Sequence, residues 1–155
     1  MKFLLMLSLS IFFFSCQEKE NKNPSVYYSS DPVQTKKKKE ENKQIGDTIH
    51  MNYIDDQGLY TAEGLIDSIR PRIYIKFKSD DLGELKGKII PTTGKGNIRF
   101  NQIIFPDETS DGPFGMDLKI QLTQKGNYII VIGHSLMADN PFWGKFKIQL
   151  ENKKE

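Results

Sequence analysis

From Ile45 onward, apolar side chains recur at every second position in short runs. Ile49, Met51 and Tyr53 alternate, then Tyr60 and Ala62, then Ile73, Ile75 and Phe77. Leu85, Gly87 and Ile89 follow, with Ile98 and Phe100, then Met116, Leu118, Ile120 and Leu122, and finally Phe146, Ile148 and Leu150. A period of two puts successive side chains on opposite faces of an extended chain, the pattern of half-buried strands. Turn-forming clusters separate the runs: "DDQG", "RPR", "SDDLG", "TTGKG", "PDETSDGPFG", "TQKG" and "ADNPFWG". Beyond the N-terminus no stretch of helical length carries apolar residues at a spacing of 3.6. The pattern predicts an all-β domain, an antiparallel β-sandwich or jelly roll of about seven or eight strands. "NYIIVIG" is apolar on both faces, so it is expected as a central strand.

The N-terminus breaks this period. Lys2 precedes an unbroken apolar run from Phe3 to Phe14, which stops at Ser15 and Cys16 and gives way at once to "QEKENK". The run is too short to span a bilayer, which takes about 20 apolar residues, but it has the length of a signal-peptide core. Cys16 is the chain's only cysteine and so has no disulfide partner within it. A small residue directly before a lone cysteine resembles the lipobox of bacterial lipoproteins, although Phe13 and Phe14 stand where that family usually has Leu and a small residue. The resemblance implies acylation of Cys16 and residence in the outer membrane of a gram-negative envelope, facing the periplasm or the cell surface.

Residues 17–44 hold little to bury. Val26, Tyr27, Tyr28 and Val33 are scattered among Asn, Ser, Pro, Lys and Glu, so the segment cannot offset its own ordering entropy. The expected organisation is a signal peptide over 1–15, a lipid-anchored disordered linker over 16–44 and a β-sandwich domain over 45–155. The whole chain is 37% hydrophobic and 27% charged, with a mean hydropathy of −0.51. From Ile45 to Glu155, fourteen Lys and Arg stand against fifteen Asp and Glu, a net −1. A domain of that balance has no basic field to gather phosphates, which argues against nucleic acid as a partner.

Catalytic and metal motifs fail one after another. "GHSLM" opens like a nucleophile elbow, but Met137 replaces the final glycine and no histidine follows His134 to serve as base. "GELKGK" lacks a spacer residue and the Ser/Thr of a phosphate-binding loop. His50, His134 and one cysteine do not make a zinc set. Asp107, Thr109, Asp111 and Gly112 fall on positions 1, 3, 5 and 6 of a calcium loop, yet position 12 is Leu118 instead of a bidentate Glu, leaving a weak calcium candidate. The pairs Asp55/Asp56 and Asp80/Asp81 are neighbours on extended chain, point apart, and read as turn formers. The expectation is a protein that is not an enzyme, needs no cofactor, and binds a protein or a glycan.

Two segments are candidates for that binding. In "DNPFWG", Phe142 and Trp143 either cap an open end of the domain or, if exposed, anchor a partner. "GLIDSIRPRIYIKF", "NIRFNQIIFPDETSDGP", "LTQKGNYIIVIG" and "WGKFKIQL", in that order, resemble the pre-peptidase C-terminal domains of secreted peptidases and the i-type and g-type lysozyme inhibitors of gram-negative bacteria. The resemblance covers roughly Asp47 to Leu150. It implies an interaction motif S-G-x-Y before a central strand, matched here by Lys125, Gly126, Asn127 and Tyr128, with Lys125 in place of the serine. In place of the arginine-rich stretch that some members carry next stands "HSLMADNPFWGK". A lysozyme is therefore one expected partner, met through the "KGNY" turn. The alternative is that this turn is structural, with Gly126 relieving the backbone and Tyr128 packed.

Overall fold

A computed structural model describes residues 41–135 and 137–154 of the chain. Ten strands form in chain order: β1 (Asn42–Ile45), β2 (Thr48–His50), β3 (Leu59–Ile66), β4 (Arg72–Ser79), β5 (Gly83–Pro91), β6 (Arg99–Ile104), β7 (Ser110–Asp111), β8 (Asp117–Leu122), β9 (Gly126–Gly133) and β10 (Gly144–Lys154). The alternating runs fall on β3, β4, β5, β8 and β10 and touch β2 at Ile49 and β6 at Phe100, and the doubly apolar "NYIIVIG" is β9. Along β4 the odd positions Ile73, Ile75, Phe77 and Ser79 are buried and the even ones are not. β9 is central as expected, hydrogen-bonded to β4 on one side and β6 on the other.

The all-β expectation holds, but the antiparallel sandwich is corrected in two respects. The strands form one mixed sheet, in the order β7-β6-β9-β4-β2-β1-β3-β10-β5-β8. Two of its pairings are parallel, β1 with β3 and β2 with β4. Both arise from the short β1–β2 hairpin, which turns at Gly46 with φ 63° and sits between the two halves of the sheet. One half ends in β8 and the other in β7.

The sheet curls so that its apolar face closes on itself. Ile75, Phe100, Tyr128 and Ile130 from one half share a single buried cluster with Leu85, Leu118, Phe146 and Ile148 from the other. Gly87 on β5 marks the approach: a Cβ there would stand 3.1 Å from the ring tip of Phe100 on β6. The residues after Gly112 lace the ends of the curl. Phe114 N–H donates to the Phe100 carbonyl, Phe100 N–H to that of Gly115, and Ile89 N–H to that of Met116.

Composition places the start of the domain at Ile45, whereas β1 begins at Asn42. Asn42 is polar yet buried, because its side chain does the work of a strand partner. Its amide donates to the carbonyls of Tyr53 (2.8 Å) and Thr61 (3.1 Å), and its oxygen accepts the N–H groups of Asn52 and Tyr53. An amide that satisfies backbone groups from two other segments is as much a part of the core as a leucine. The expected signal peptide, Cys16 and most of the expected linker lie outside the described residues.

Candidate functional site

The two candidate segments lie at opposite ends of β9, and only one of them offers a recessed surface. At the N-terminal end, Gly126, Asn127 and Tyr128 lie in the sheet, paired with Ser79, Lys78 and Phe77 of β4. Tyr128 is fully buried. Its ring stacks on Phe77 with centroids 5.2 Å apart and meets Phe105 edge-on at 6.0 Å. Its hydroxyl donates to the Gln124 carbonyl at 2.5 Å. Burial pushes the phenol above its ordinary pKa, so it remains a donor at neutral pH. Gly126 has φ 141°, and a Cβ there would stand 2.9 Å from the Pro106 ring. Of the four residues, Lys125 and Asn127 are exposed. The Lys78 ammonium beside Asp80, with a smaller contribution from Lys125, holds the Asp80 carboxyl below its usual range.

The calcium candidate is next to this turn. Asp107 Oδ1 accepts the Thr109 N–H and hydroxyl, and Oδ2 accepts the Gln124 amide at 2.7 Å. These bonds, Thr109 first, hold its carboxyl below the usual range. The carboxylate thus closes a tight turn, in which Glu108 has φ 66°. Asp111 belongs to β7 and faces elsewhere, toward the depression described next.

At the C-terminal end of β9 the sheet carries a depression of about 490 Å³ on its outer face. Its floor is one cross-strand row. Gly133 of β9 pairs with Arg72 of β4 on one side and with Arg99 of β6 on the other, so both arginines emerge on the same face with no side chain between them. Space, not backbone angle, requires glycine here: a Cβ on Gly133 would lie 2.9 Å from Asn101 Nδ2, 3.2 Å from the Pro71 carbonyl oxygen and 3.4 Å from Arg72 Cγ.

Asn101 reaches this position through a bulge. Phe100 and Ile103 are both fully buried although they are three residues apart, which strict alternation forbids. The ladder shifts register between Phe100 and Gln102, and the extra residue turns both Asn101 and Gln102 toward the depression. A bulge re-aims side chains in this way at the expense of one ladder position. Asn101 Nδ2 donates to the His134 carbonyl at 3.4 Å, and Gln102 Nε2 to the Ser110 hydroxyl at 2.9 Å. Arg99 is held through its Nε, which donates to the Phe114 carbonyl at 3.0 Å. Among the described residues neither Arg72 nor Arg99 has a carboxylate partner.

The lining is mostly polar, with Pro113, Val131 and Met137 as its apolar side chains. His134 lines the depression and meets Trp143 edge-on at 5.8 Å; its Nδ1 is buried and unpartnered among the described residues. Trp143 is 42% exposed, whereas its neighbour Phe142 is core at 1%. Met137 is 96% exposed, and Ile69, beside Arg72, is 84% exposed. Ile69 is held out on a rigid loop: Asp67 accepts the N–H groups of Ile69 and Arg70 and pairs with the Arg70 guanidinium at 2.6 Å. The Arg70 side chain beside Asp67, followed by the two N–H groups, keeps that carboxyl below its usual range.

A second depression, of about 500 Å³, lies on the outer face of β1, β3 and β10. There Glu63 pairs with Lys43 on one side and Lys147 on the other, so its charges alternate and compensate. That depression carries two lysines against three carboxylates, whereas the arginine row has two arginines against the single Asp111 and keeps a positive excess, which makes it the better candidate for recognition. It could not be read from local patterns, since Arg72 and Arg99 belong to distant strands and meet only through the register on β9. The spacing of Phe100 and Ile103 was the one local sign of the bulge.

No family model matches the sequence, and no curated protein does. Among solved structures the fold is similar to that of PliG from Aeromonas hydrophila, a periplasmic inhibitor of g-type lysozyme, at a TM-score of 0.50 and 12% identity over 74% of this chain and 100% of that one. PliG from Salmonella Typhimurium, another periplasmic inhibitor of g-type lysozyme, aligns at a TM-score of 0.45 and 14% identity over 70% and 100%. The pre-peptidase C-terminal domain of a Bacillus anthracis collagenase aligns at 0.42 and 13% over 74% and 97%. What this chain shares with Aeromonas PliG is the curled β fold.

Proposed function

We propose that the protein is a non-catalytic binding module of the gram-negative envelope, anchored to the outer membrane through an acylated Cys16, facing the periplasm or the cell surface, and presenting the arginine-row end of its sheet to a protein partner. The observation that carries this reading is a depression lined by Arg72, Arg99 and the exposed Met137, in which neither arginine has a carboxylate partner among the described residues; Trp143 meets His134 of the same lining, and Ile69 stands beside Arg72 in an adjoining depression. Arginine and tryptophan dominate the energetics of protein interfaces, and a rigid exposed aliphatic tip binds with little ordering cost.

A photo-crosslinking residue in place of Met137 tests the surface in cells. A discrete adduct is expected from this position and none from Lys88 on the outer face of β5. Equal adducts from both, or none from Met137, would count against it. For the anchor, an alkyne fatty acid should label the wild type, and equal labelling of Cys16→Ala would refute acylation. A diacylglyceryl group plus an N-acyl chain on Cys16 makes three chains, more than the two anchors that stable membrane residence takes.

A second reading, lysozyme inhibition, is favoured by the fold shared with Aeromonas PliG. With the Tyr128 ring inside the domain, contact at the "KGNY" turn would rest on Lys125 and Asn127. Inhibition of a purified g-type lysozyme by the full chain that is lost in Lys125→Glu would support this reading. Full inhibition by that variant would exclude the turn as the inhibitory contact.

A further inference from the structure

We infer that the depression on the outer face of β4, β9 and β6 is a carboxylate-binding site, in which Arg72 and Arg99 close from either side on a single acidic side chain of the partner. This rests on the binding-module reading and names the group that its surface recognises. Three features of the geometry point to it. The arginines flank the same glycine, with backbones two strand spacings apart, roughly 10 Å. Both side chains line the same depression above that glycine. Arg99 is oriented by its Nε bond to Phe114, which leaves its two terminal nitrogens for a ligand. Asn101, placed over the floor by the bulge, gives one amide hydrogen to the long bond to His134 and has a second to donate.

Charge decides between kinds of anion. Asp111 also lines the depression, with Oδ1 accepting the Gly112 N–H at 2.7 Å. Two arginines against one aspartate leave one net positive charge. That suits a monoanion, and it disfavours the second charge of a phosphate. The rest of the folded part carries no positive excess, since residues 45–155 sum to −1. Planar guanidinium groups match the two oxygens of a carboxylate, and such charge-assisted pairs discriminate strongly against a neutral amide. Exposed Met137 in the lining, with Trp143 against His134 and Ile69 beside Arg72, favours a carboxylate carried by a protein, an Asp or Glu beside apolar surface.

The test is a nuclear magnetic resonance titration of the full chain, following the Arg Nε–H and the Asn101 and Gln102 amide signals. The probes are acetyl-Gly-Glu-Gly-amide, acetyl-Gly-Gln-Gly-amide and inorganic phosphate. The Glu peptide is expected to give saturable shifts at these groups, with the Gln peptide at least about tenfold weaker. Arg72→Gln combined with Arg99→Gln should abolish the response. Asp111→Asn keeps the acceptor for Gly112 and should tighten binding of the Glu peptide. Equal binding of the two peptides, phosphate binding more tightly than the Glu peptide, an unchanged affinity in the double variant, or weaker binding in Asp111→Asn would each overturn the inference. The crosslink at Met137 separates the two failures. An adduct that persists while the peptide fails to bind refutes the carboxylate site and leaves the module standing. Peptide binding without any adduct refutes the module reading and leaves the site.

Discussion

Replacing Tyr128 by Ala is expected to lower folding stability by about 3–5 kcal/mol, the range for deleting a fully buried aromatic side chain. The ring fills the space between Phe77 and Phe105, and neither neighbour can follow it without leaving its own strand or turn. Removal would also leave the Gln124 carbonyl without the phenol hydroxyl. Tyr128→Phe separates the two contributions, since it keeps the ring and gives up one hydrogen bond, worth about 1 kcal/mol. Urea denaturation of the three proteins measures both differences. A Tyr128→Ala variant as stable as the wild type would mean that the ring is not in the core, and would return it to the list of exposed contact residues.

The second large effect is expected at Gly94. It has φ 82°, and a Cβ there would lie 2.0 Å from the Trp143 carbonyl oxygen. The contact is reciprocal, because a Cβ on Gly144, at φ 154°, would lie 2.4 Å from the Thr93 carbonyl oxygen. Two glycines thus let the 92–96 loop and the start of β10 touch backbone to backbone, and this contact sets where Trp143 stands. Gly94→Ala combines left-handed strain with a clash against main chain that cannot rotate away, on the order of 2–4 kcal/mol together. Trp143 is the only tryptophan, so its emission reports the local change directly. A lower melting temperature with a shifted emission maximum is expected. Unchanged values for both would show that the loops do not approach so closely.

These two residues also show what could be read from the chain and what could not. The alternation in "RIYIKFKS", "GELKGKII" and "GKFKIQL" identified strands and their buried faces, because burial on one face of an extended chain leaves a local trace, and "NYIIVIG", apolar on both faces, identified the central strand. Of the β1–β2 hairpin only Ile49 stood in an alternating run, and β1 left no trace. "NKQI" and "TIH" are short and mostly polar, and their place depends on the Asn42 amide and on partners in β3 and β4. Parallel pairing, and with it the single curled sheet, followed from that hairpin and had no local signature. In "KGNY", Tyr128 occupied a buried position of the alternating pattern, in step with Ile130 and Ile132. The structural reading of the turn rested on a glycine that relieves the backbone and a packed Tyr128, while the motif resemblance pointed toward contact. Phe142 and Trp143 are adjacent and divide between core and rim, as neighbours on extended chain must.

The polar hairpin at the centre of the sheet has a mechanical consequence. The chain enters the domain at β1, which is held by β2 on one side and by β3 on the other. Tension arriving from the N-terminal side would act along the axis of β1, across hydrogen bonds that lie transverse to the pull, and the Asn42 side chain would tie the same point to Tyr53 and Thr61. Bonds loaded in shear share the force among themselves, whereas an edge strand peeled from its end loses them one by one. A domain whose first strand is paired on both sides meets such a pull in shear and not by peeling.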